Sequence, residues 1–228
     1  LVYLVVSGGY WFAAGSYMTG EPAVMSPRVK RDLPQSVLGR TFLTWLNPGP
    51  GTGYLLALVG YGSTLLFALL LLQVQLWSGR PIRSVGPTAM ADPVELVLRV
   101  GVGVLVYLAF YLGVGKWLLA VAARAQPIGV NGRALLHSLL VAAGVAGPLI
   151  FQWSSVHRGE AYTLWQTTNP FWTIWMLCYP ASSDDPLVAL CIMSILAALV
   201  LAWQLPSIGR EVASVRLAPP PRVAEEDA

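Results

Sequence analysis

The chain contains 228 residues, of which 56% are hydrophobic and only 11% are charged, and its formal net charge is +3. This composition, with a mean hydropathy of +0.63, excludes an ordinary soluble domain and is typical of a helical membrane protein. The two cysteines, Cys178 and Cys191, have no metal-ligand spacing and form no disulfide framework. We interpret them as small buried hydrophobic residues.

Five apolar stretches are expected to enter the bilayer. The hydrocarbon core is about 30 Å thick, and a helix that rises 1.5 Å per residue needs roughly 20 apolar residues to cross it. Spans are therefore predicted at approximately residues 1–18, 54–77, 94–121, 134–153 and 185–205. The first stretch has no initial methionine and lacks the positive region of a signal peptide, so we expect a helix whose beginning is missing.

These stretches predict an all-α, polytopic fold. We expect one transmembrane domain over residues 1–217 and a disordered cytoplasmic tail over residues 218–228, where prolines and acidic residues replace the apolar pattern. Pro148 is expected to free a backbone carbonyl and to kink the fourth span. Small residues within the spans predict close helix packing, because packing rather than hydrophobicity drives helix association in lipid. They are Gly60, Gly62, Ser63, Gly101, Gly103, Gly113, Gly115, Ala143, Gly144, Ala146 and Gly147.

The positive charges indicate the orientation. If the first helix ends in the cytoplasm, nine arginines and lysines fall in inside segments and three in outside segments, as the positive-inside rule requires. This places the C-terminus in the cytoplasm and the chain in the plasma (inner) membrane as a multi-pass protein. The inside residues are Arg28, Lys30, Arg31, Arg40, Arg124, Arg133, Arg210, Arg216 and Arg222, and the outside residues are Arg80, Arg83 and Arg158.

Residues 20–50 form the main predicted cytoplasmic loop. Its centre, Leu38–Leu46, has the pattern of a short amphipathic helix with Arg40 toward water. Two interpretations remain open: an elbow that lies on the membrane, anchored by Arg40 and Trp45, or a docking surface for a cytoplasmic partner. The run of Pro and Gly at 47–51 is expected to break any helix before the second span.

Two later spans carry helix-start signals. Asp92-Pro93 places an N-cap before a proline at the first helical position, with Glu95 where a capping box needs it. Asp185-Pro186 repeats the cap and the proline. Glu95 and Arg99 have i, i+4 spacing, so we expect them to pair at the membrane interface.

Residues 156–184 are the least regular stretch, with aromatic and hydroxyl side chains interrupted by Asn169-Pro170. Its core of about 17 residues is too short and too broken to cross the bilayer. We expect an interfacial or re-entrant pair of short helices on the outer face. Such a segment is either a passive lid held by tryptophans, or an outer gate or surface that receives a lipid-like substrate.

Catalytic chemistry is not indicated. His137 and His157 lie 20 residues apart, roughly 30 Å along a helix, and cannot bind one haem or metal together. No carboxylate occupies the middle of a span, so no proton or sodium relay is predicted. The Gly49–Gly53 sequence lacks the lysine and the spacing of a phosphate-binding loop. We therefore expect no enzyme, no cofactor or metal site, and no nucleic-acid partner.

Lys116 is the deep charge of the predicted spans. It precedes Arg124 by eight residues, which places it about 12 Å inside the end of the helix. Either its ammonium group snorkels to the inner headgroups or it takes part in a transport pathway.

The layout resembles the later five helices of an ABC exporter permease of the six-helix (type-2) class. The stretches that carry the resemblance are SPRVKRDLPQSVLGRTFLTWLNPGPGTG, LWQTTNPFWT and LPSIGREVASVRLAPPPRVAEEDA. In that family a cytoplasmic coupling segment follows the second helix, and re-entrant helices precede the last one. The chain differs from the family in lacking a counterpart of its first helix.

The resemblance implies roles for two groups of residues and a set of partners. The candidates for contact with a separate cytoplasmic ATPase are Arg28, Lys30, Arg31 and Arg40. The candidates for an outer gate are Trp165, Phe171, Trp172 and Trp175. Besides lipid and the ATPase, the implied partner is a second copy or a related permease chain.

The expected function is therefore that of a permease component that exports an apolar or amphipathic substrate. The alternative is a non-catalytic structural or accessory subunit of a larger membrane complex, to which close-packing glycines and many tryptophans are equally suited. A membrane enzyme acting on lipids is the least supported class, for want of an acid, base or metal cluster.

Overall fold

The computed structural model describes residues 1–19, 36, 50–78, 92–126, 128–154, 162–178 and 185–212. About 90% of these residues are helical and none of them is in a strand, which confirms the all-α, polytopic prediction. The elements are α1 (Val2–Met18), α2 (Pro50–Trp77), α3 (Pro93–Ala122), α4 (Val130–Ser154), a 3₁₀ turn (Leu164–Thr168), α5 (Pro170–Leu177) and α6 (Asp185–Val212).

Four helices, α2, α3, α4 and α6, are long and apolar enough to cross a membrane, so the protein is membrane-embedded. The fifth predicted span, α1, has 17 residues and packs antiparallel to α2. A Cβ atom added at Gly15 would meet the Ala57 side chain, and one added at Gly60 would meet the Trp11 ring.

Three helix bounds differ from the prediction by four or more residues, and α4 is one of them because it begins at Val130 rather than at residue 134. α2 begins at Pro50 rather than after the Pro-Gly run, because a proline in the first helical turn loses no intrahelical hydrogen bond. α6 continues through Pro206 to Val212 rather than ending at residue 205. The turn around Pro206 is supported by the Ser207 hydroxyl, which donates to the Gln204 carbonyl at 2.9 Å.

The helix-start signals are confirmed for α3. The Asp92 carboxylate accepts a hydrogen bond from the Val94 amide at 2.8 Å, with Pro93 at the first helical position. Glu95 forms an ion pair with Arg99 on the same helix. α6 begins at Asp185 itself, so this residue lies in the first turn and not before it.

The central helix is α3, which packs against α1, α2, α4, α5 and α6. In its most apolar stretch 56% of the residues are buried within the protein, against 6% in α4. α3 can contact so many neighbours because its glycines admit side chains from three sides. Leu65 of α2 packs on Gly101, Val200 of α6 on Gly113 and His137 of α4 on Gly115.

The close packing at α1, α2 and α3 forms what we call the glycine seam, which consists of Gly8, Gly15, Gly60 and Gly101. At each of these positions a Cβ atom would overlap a neighbouring side chain. The prediction of close packing is wrong for Gly62 and Gly147, where a Cβ atom would meet nothing within 4 Å. These two glycines point away from the neighbouring helices, which their spacing along the chain does not reveal.

The contacts give the helices alternating directions and define two ends of the bundle. One end, which we call the re-entrant end, contains Leu1, Trp77, Pro93, Ser154 and Asp185. The opposite end contains the other termini of α1, α2, α3, α4 and α6. Exposed tryptophans occur at both ends: Trp77 and Trp153 at the first, Trp117 and Trp203 at the second. Such a distribution is typical of the aromatic belts of membrane proteins.

Candidate functional site

Residues 162–178 enter the bundle from the re-entrant end and run down the side of α4. The Trp165 ring contacts the Phe151 ring, with centroids 4.5 Å apart, and the Gln166 amide donates to Gln152. The Thr168 hydroxyl, three residues after Trp165, donates to the Gly144 carbonyl at 3.1 Å. Gly144 precedes the end of α4 by ten residues, or about 15 Å, half the thickness of a hydrocarbon core. The tip of the segment therefore lies well inside the bundle, about ten residues from the end of α4, as expected of a re-entrant segment.

The tip of the segment fills a notch that the sequence of α4 creates. Pro148 has no amide hydrogen, so the carbonyl of Gly144, four residues earlier, has no helical donor. The Thr168 hydroxyl supplies that donor. Gly144 must also lack a side chain, because a Cβ atom there would overlap the Tyr111 hydroxyl. The carbonyl that Pro148 was expected to free is thus the attachment point of the re-entrant tip.

Helix α3 holds the same tip from the other side through two tyrosines one turn apart. The Tyr107 hydroxyl donates to the Thr167 carbonyl and the Tyr111 hydroxyl to the Thr168 carbonyl. We call this set, Tyr107, Tyr111, Gly144, Thr167 and Thr168, the carbonyl junction. It satisfies backbone carbonyls at the end of the short 3₁₀ turn, whose last residues have no following helical amides to do so.

From the tip the chain turns back as α5. Asn169 caps this helix, because its side-chain oxygen accepts from the Trp172 amide at 3.2 Å, and Pro170 occupies the first helical position. α5 ends beside Gly103, whose neighbour across the interface is Leu177. Asn169-Pro170, which was interpreted only as an interruption, is the same cap-and-proline signal as Asp92-Pro93.

The interior of the re-entrant segment is polar and buried. Gln166, Asn169 and Thr173 are almost fully buried; Asn169 donates to the Gln166 side chain at 3.0 Å, and Thr173 donates to the Gln166 carbonyl at 3.2 Å. The Tyr162 hydroxyl lies 2.9 Å from the Thr173 hydroxyl and is the donor, since the Thr173 proton is already used.

The four aromatic residues proposed for an outer gate lie on the outside of this segment. Their exposed fractions run from 38% for Trp172 to 66% for Phe171. Phe171 and Trp175 share one face of α5, since they are four residues apart. The structure thus places the aromatic side chains on the exposed surface of the segment and its amides and hydroxyls inside.

Lys116 lies six residues before the end of α3. Its ammonium nitrogen is covered by protein atoms and has no hydrogen-bond partner among the described residues. Glu211, near the end of α6, is close enough to act on it electrostatically.

A second polar contact joins the helices near the opposite end. The buried Gln204 of α6 donates to the Gly113 carbonyl of α3, and the Tyr54 hydroxyl of α2 donates to the Ala109 carbonyl at 3.0 Å. Sequence reasoning did not single out Gln204 and Tyr54, nor Tyr107, Tyr111 and Gln166. A single polar residue in an apolar stretch predicts a helix–helix contact only if it is expected to form a hydrogen bond with the backbone of a neighbouring helix.

Other predicted residues are accounted for as follows. His137 is fully buried and packs its ring on Gly115 and edge-on against Phe12. In the part of the chain that is described, no group of three potential metal ligands occurs. The prediction of buried cysteines is wrong: Cys178 is half-buried and Cys191 is exposed, which an apolar thiol tolerates on a helix that faces lipid.

Several predictions fall outside the described residues. They are the amphipathic helix at 38–46, the coupling candidates Arg28, Lys30, Arg31 and Arg40, and also His157 and the tail at 218–228. Comparison with known protein families, with curated proteins and with solved structures finds no match.

Proposed function

We propose that this chain is the membrane-spanning permease component of an ABC-type exporter, powered by ATP hydrolysis in a separate cytoplasmic subunit. The observation that carries the proposal is the re-entrant segment before α6, whose tip lies at mid-membrane depth against α3 and α4. A short re-entrant helix pair at this place in the chain is what the resemblance to the six-helix class implies.

The distribution of charge supports an apolar or amphipathic substrate. The carboxylates of the described long helices, Glu95, Asp185 and Glu211, all lie within three residues of a helix end. An ion-coupled carrier needs ionisable groups along its pathway. Transport driven by ATP needs none, because the free energy enters through the cytoplasmic subunit.

In this proposal the re-entrant segment moves as one body with α3 and α4. Its tip is bonded to both helices, so a change in their packing displaces the aromatic surface of α5. The exposed Trp165, Phe171, Trp172 and Trp175 would then open or close the outer side of the pathway. The inner side would be moved by the loop at residues 20–49.

The proposal is tested by charge reversal in that loop. The tagged chain is purified from its own membranes, and the preparation is assayed for a bound ATPase and for ATP hydrolysis that vanadate inhibits. We expect both to be lost in Arg28→Glu/Lys30→Glu/Arg31→Glu and both to be retained in Arg80→Glu/Arg83→Glu, a matched change in the loop predicted on the other face. If no vanadate-sensitive hydrolysis accompanies the unaltered chain, the permease proposal fails and the accessory-subunit alternative remains.

The orientation is tested separately, in a chain whose Cys178 and Cys191 are replaced by Ala. A membrane-impermeant maleimide added to intact cells is expected to label Arg83→Cys and to spare Lys30→Cys. The reverse pattern would place the C-terminus outside and would remove the coupling role from the loop at residues 20–49.

A further inference from the structure

A groove of about 300 Å³ lies between α1, α3, α4 and α5, at the level of the carbonyl junction. Tyr107 and Leu108, the two central residues of α3, form part of its back wall. It extends from Val104 to Tyr111 along α3, which is about 10 Å of helix. The groove is therefore confined to the middle of the hydrocarbon region.

The walls of the groove are apolar in effect. Among the described residues that line it, none is charged, and hydroxyl groups come only from Tyr107, Tyr111 and Ser138. Both tyrosine hydroxyls are already used as donors to the carbonyls of Thr167 and Thr168. A ligand in the groove meets aromatic and aliphatic surface and finds little to hydrogen-bond.

The groove opens sideways, toward lipid. Val5 and Phe171, on its two rims, have exposed fractions of 40% and 66%, and both lie on helix faces that no described residue covers. Because this opening is at mid-membrane depth, an occupant must come from the bilayer. A polar headgroup would have to be desolvated to reach it.

The surroundings of the groove select the occupant. Hydrocarbon chains are what a bilayer supplies at this depth, and the groove of about 300 Å³ has no charged residue in its described lining that would bind a polar group. A methylene chain is only about 4 Å wide, judged by the contact distance between its carbon atoms. We propose that the groove is a binding site for one hydrocarbon chain of a membrane amphiphile. This inference does not depend on transport and applies equally to an accessory subunit.

Gly9 of α1 provides the means to test it. Gly9 lines the groove, and a Cβ atom added there would meet nothing within 4 Å. The neighbouring Gly8 differs, since a Cβ atom there would overlap Val104. Gly9→Leu therefore fills the groove without displacing a helix. Gly62→Leu is the matched control, because Gly62 also has open space around it but lies on α2, away from the groove.

The full chain is reconstituted in phosphatidylcholine–phosphatidylglycerol vesicles that contain a small share of phosphatidylcholine with a mid-chain diazirine. After illumination the labelled peptides are mapped by mass spectrometry. We expect the label to concentrate on Val5–Phe12 and Val104–Tyr111 in the unaltered chain and in Gly62→Leu. It should be partly lost in Gly9→Ala and almost completely lost in Gly9→Leu.

Each variant must elute as the unaltered chain does on size-exclusion chromatography before it is compared. If Gly9→Leu does not elute in this way, Ser138→Leu takes its place, because it narrows the groove from α4. The same loss of label from the groove peptides is expected. Label spread evenly over lipid-facing surfaces such as Leu66–Val74 and unchanged by these substitutions would mean annular lipid only and would overturn the inference. Oxidative disulfide formation between two copies of a Gly9→Cys chain, with Cys178 and Cys191 replaced by Ala, would show a second copy over the groove and would overturn the inference as well.

Discussion

The glycine seam and the carbonyl junction hold neighbouring parts of the same bundle by different physics. In the seam, helices α1, α2 and α3 approach closely at Gly8, Gly15, Gly60 and Gly101, and the contacts are apolar or aromatic. In the junction, side-chain hydroxyls bond backbone carbonyls of a segment that is not a regular helix. The stability of the seam should therefore depend on side-chain volume, and that of the junction on the presence of hydrogen-bond donors. Substitutions can test these two dependences separately.

The largest effect is expected in the seam. Gly15→Leu places its Cβ atom against that of Ala57 and against the Leu112 side chain, and the Ala57 Cβ cannot move without its backbone. Overpacking of this kind costs about 3 kcal/mol. The free energy of unfolding is measured in mixed dodecyl maltoside–SDS micelles. Gly62→Leu, with open space around it, is the control, and equal losses in both variants would contradict the seam.

The next largest effect is expected inside the re-entrant segment. Gln166→Leu keeps the approximate volume but removes the oxygen that accepts from the buried Asn169 amide at 3.0 Å. An unsatisfied buried polar group costs about 1–3 kcal/mol, so the same assay should show a loss in that range. Gln75→Leu, on an exposed turn of α2, should change little. A Gln166→Leu variant as stable as the unaltered chain would mean that the polar interior is not buried.

The junction itself should show a smaller, coupled effect. Tyr111→Phe removes the donor to the Thr168 carbonyl, and Thr168→Val removes the donor to Gly144. Hydrogen bonds within membranes contribute about 0.6 kcal/mol on average, so each loss should be near this value. Because both bonds hold the same tip, a double-mutant cycle should give a non-zero coupling energy. Tyr10→Phe, at an exposed position, is the control, and additive losses would argue against a shared junction.

The smallest effect is expected at the surface of α3. Glu95 and Arg99 form an i, i+4 pair at the start of the helix, and such pairs contribute about 0.3–0.5 kcal/mol. Glu95→Gln should lose this amount at low salt and nothing at high salt. A loss that does not change with salt would assign Glu95 a role other than pairing.

The elements that sequence predicted best are those fixed by local chemistry. The α3 cap at Asp92, the Glu95–Arg99 pair and the carbonyl freed by Pro148 each depend on residues within a few positions of one another. The partner of that carbonyl, Thr168, was not predictable, because it lies 24 residues away across a change of direction. The local sequence shows that a backbone carbonyl lacks a helical donor, but it does not show which distant residue will donate to it.

The rotation of each helix about its own axis is the other feature that could not be predicted from the sequence. Gly60 and Gly62 look alike in the chain, yet only Gly60 meets a neighbour, the Trp11 ring. In a soluble helix the polar face would reveal the rotation, but a lipid-facing surface is as apolar as a packed one. Gln166 and Gln204 were missed for a related reason, since a single amide in an apolar or aromatic run has no period to reveal its partner.

The depth of the re-entrant tip is the central claim, and the most direct measurement is the depth of a spin label at Phe171, next to the tip and exposed. In a chain with Cys178 and Cys191 replaced by Ala, power saturation with oxygen and a nickel chelate compares Phe171→Cys with labels at Gly147 and Trp153. The account predicts that the label at position 171 lies as deep as that at position 147. A label at position 171 as shallow as that at position 153 would contradict it and would return the segment to the membrane interface.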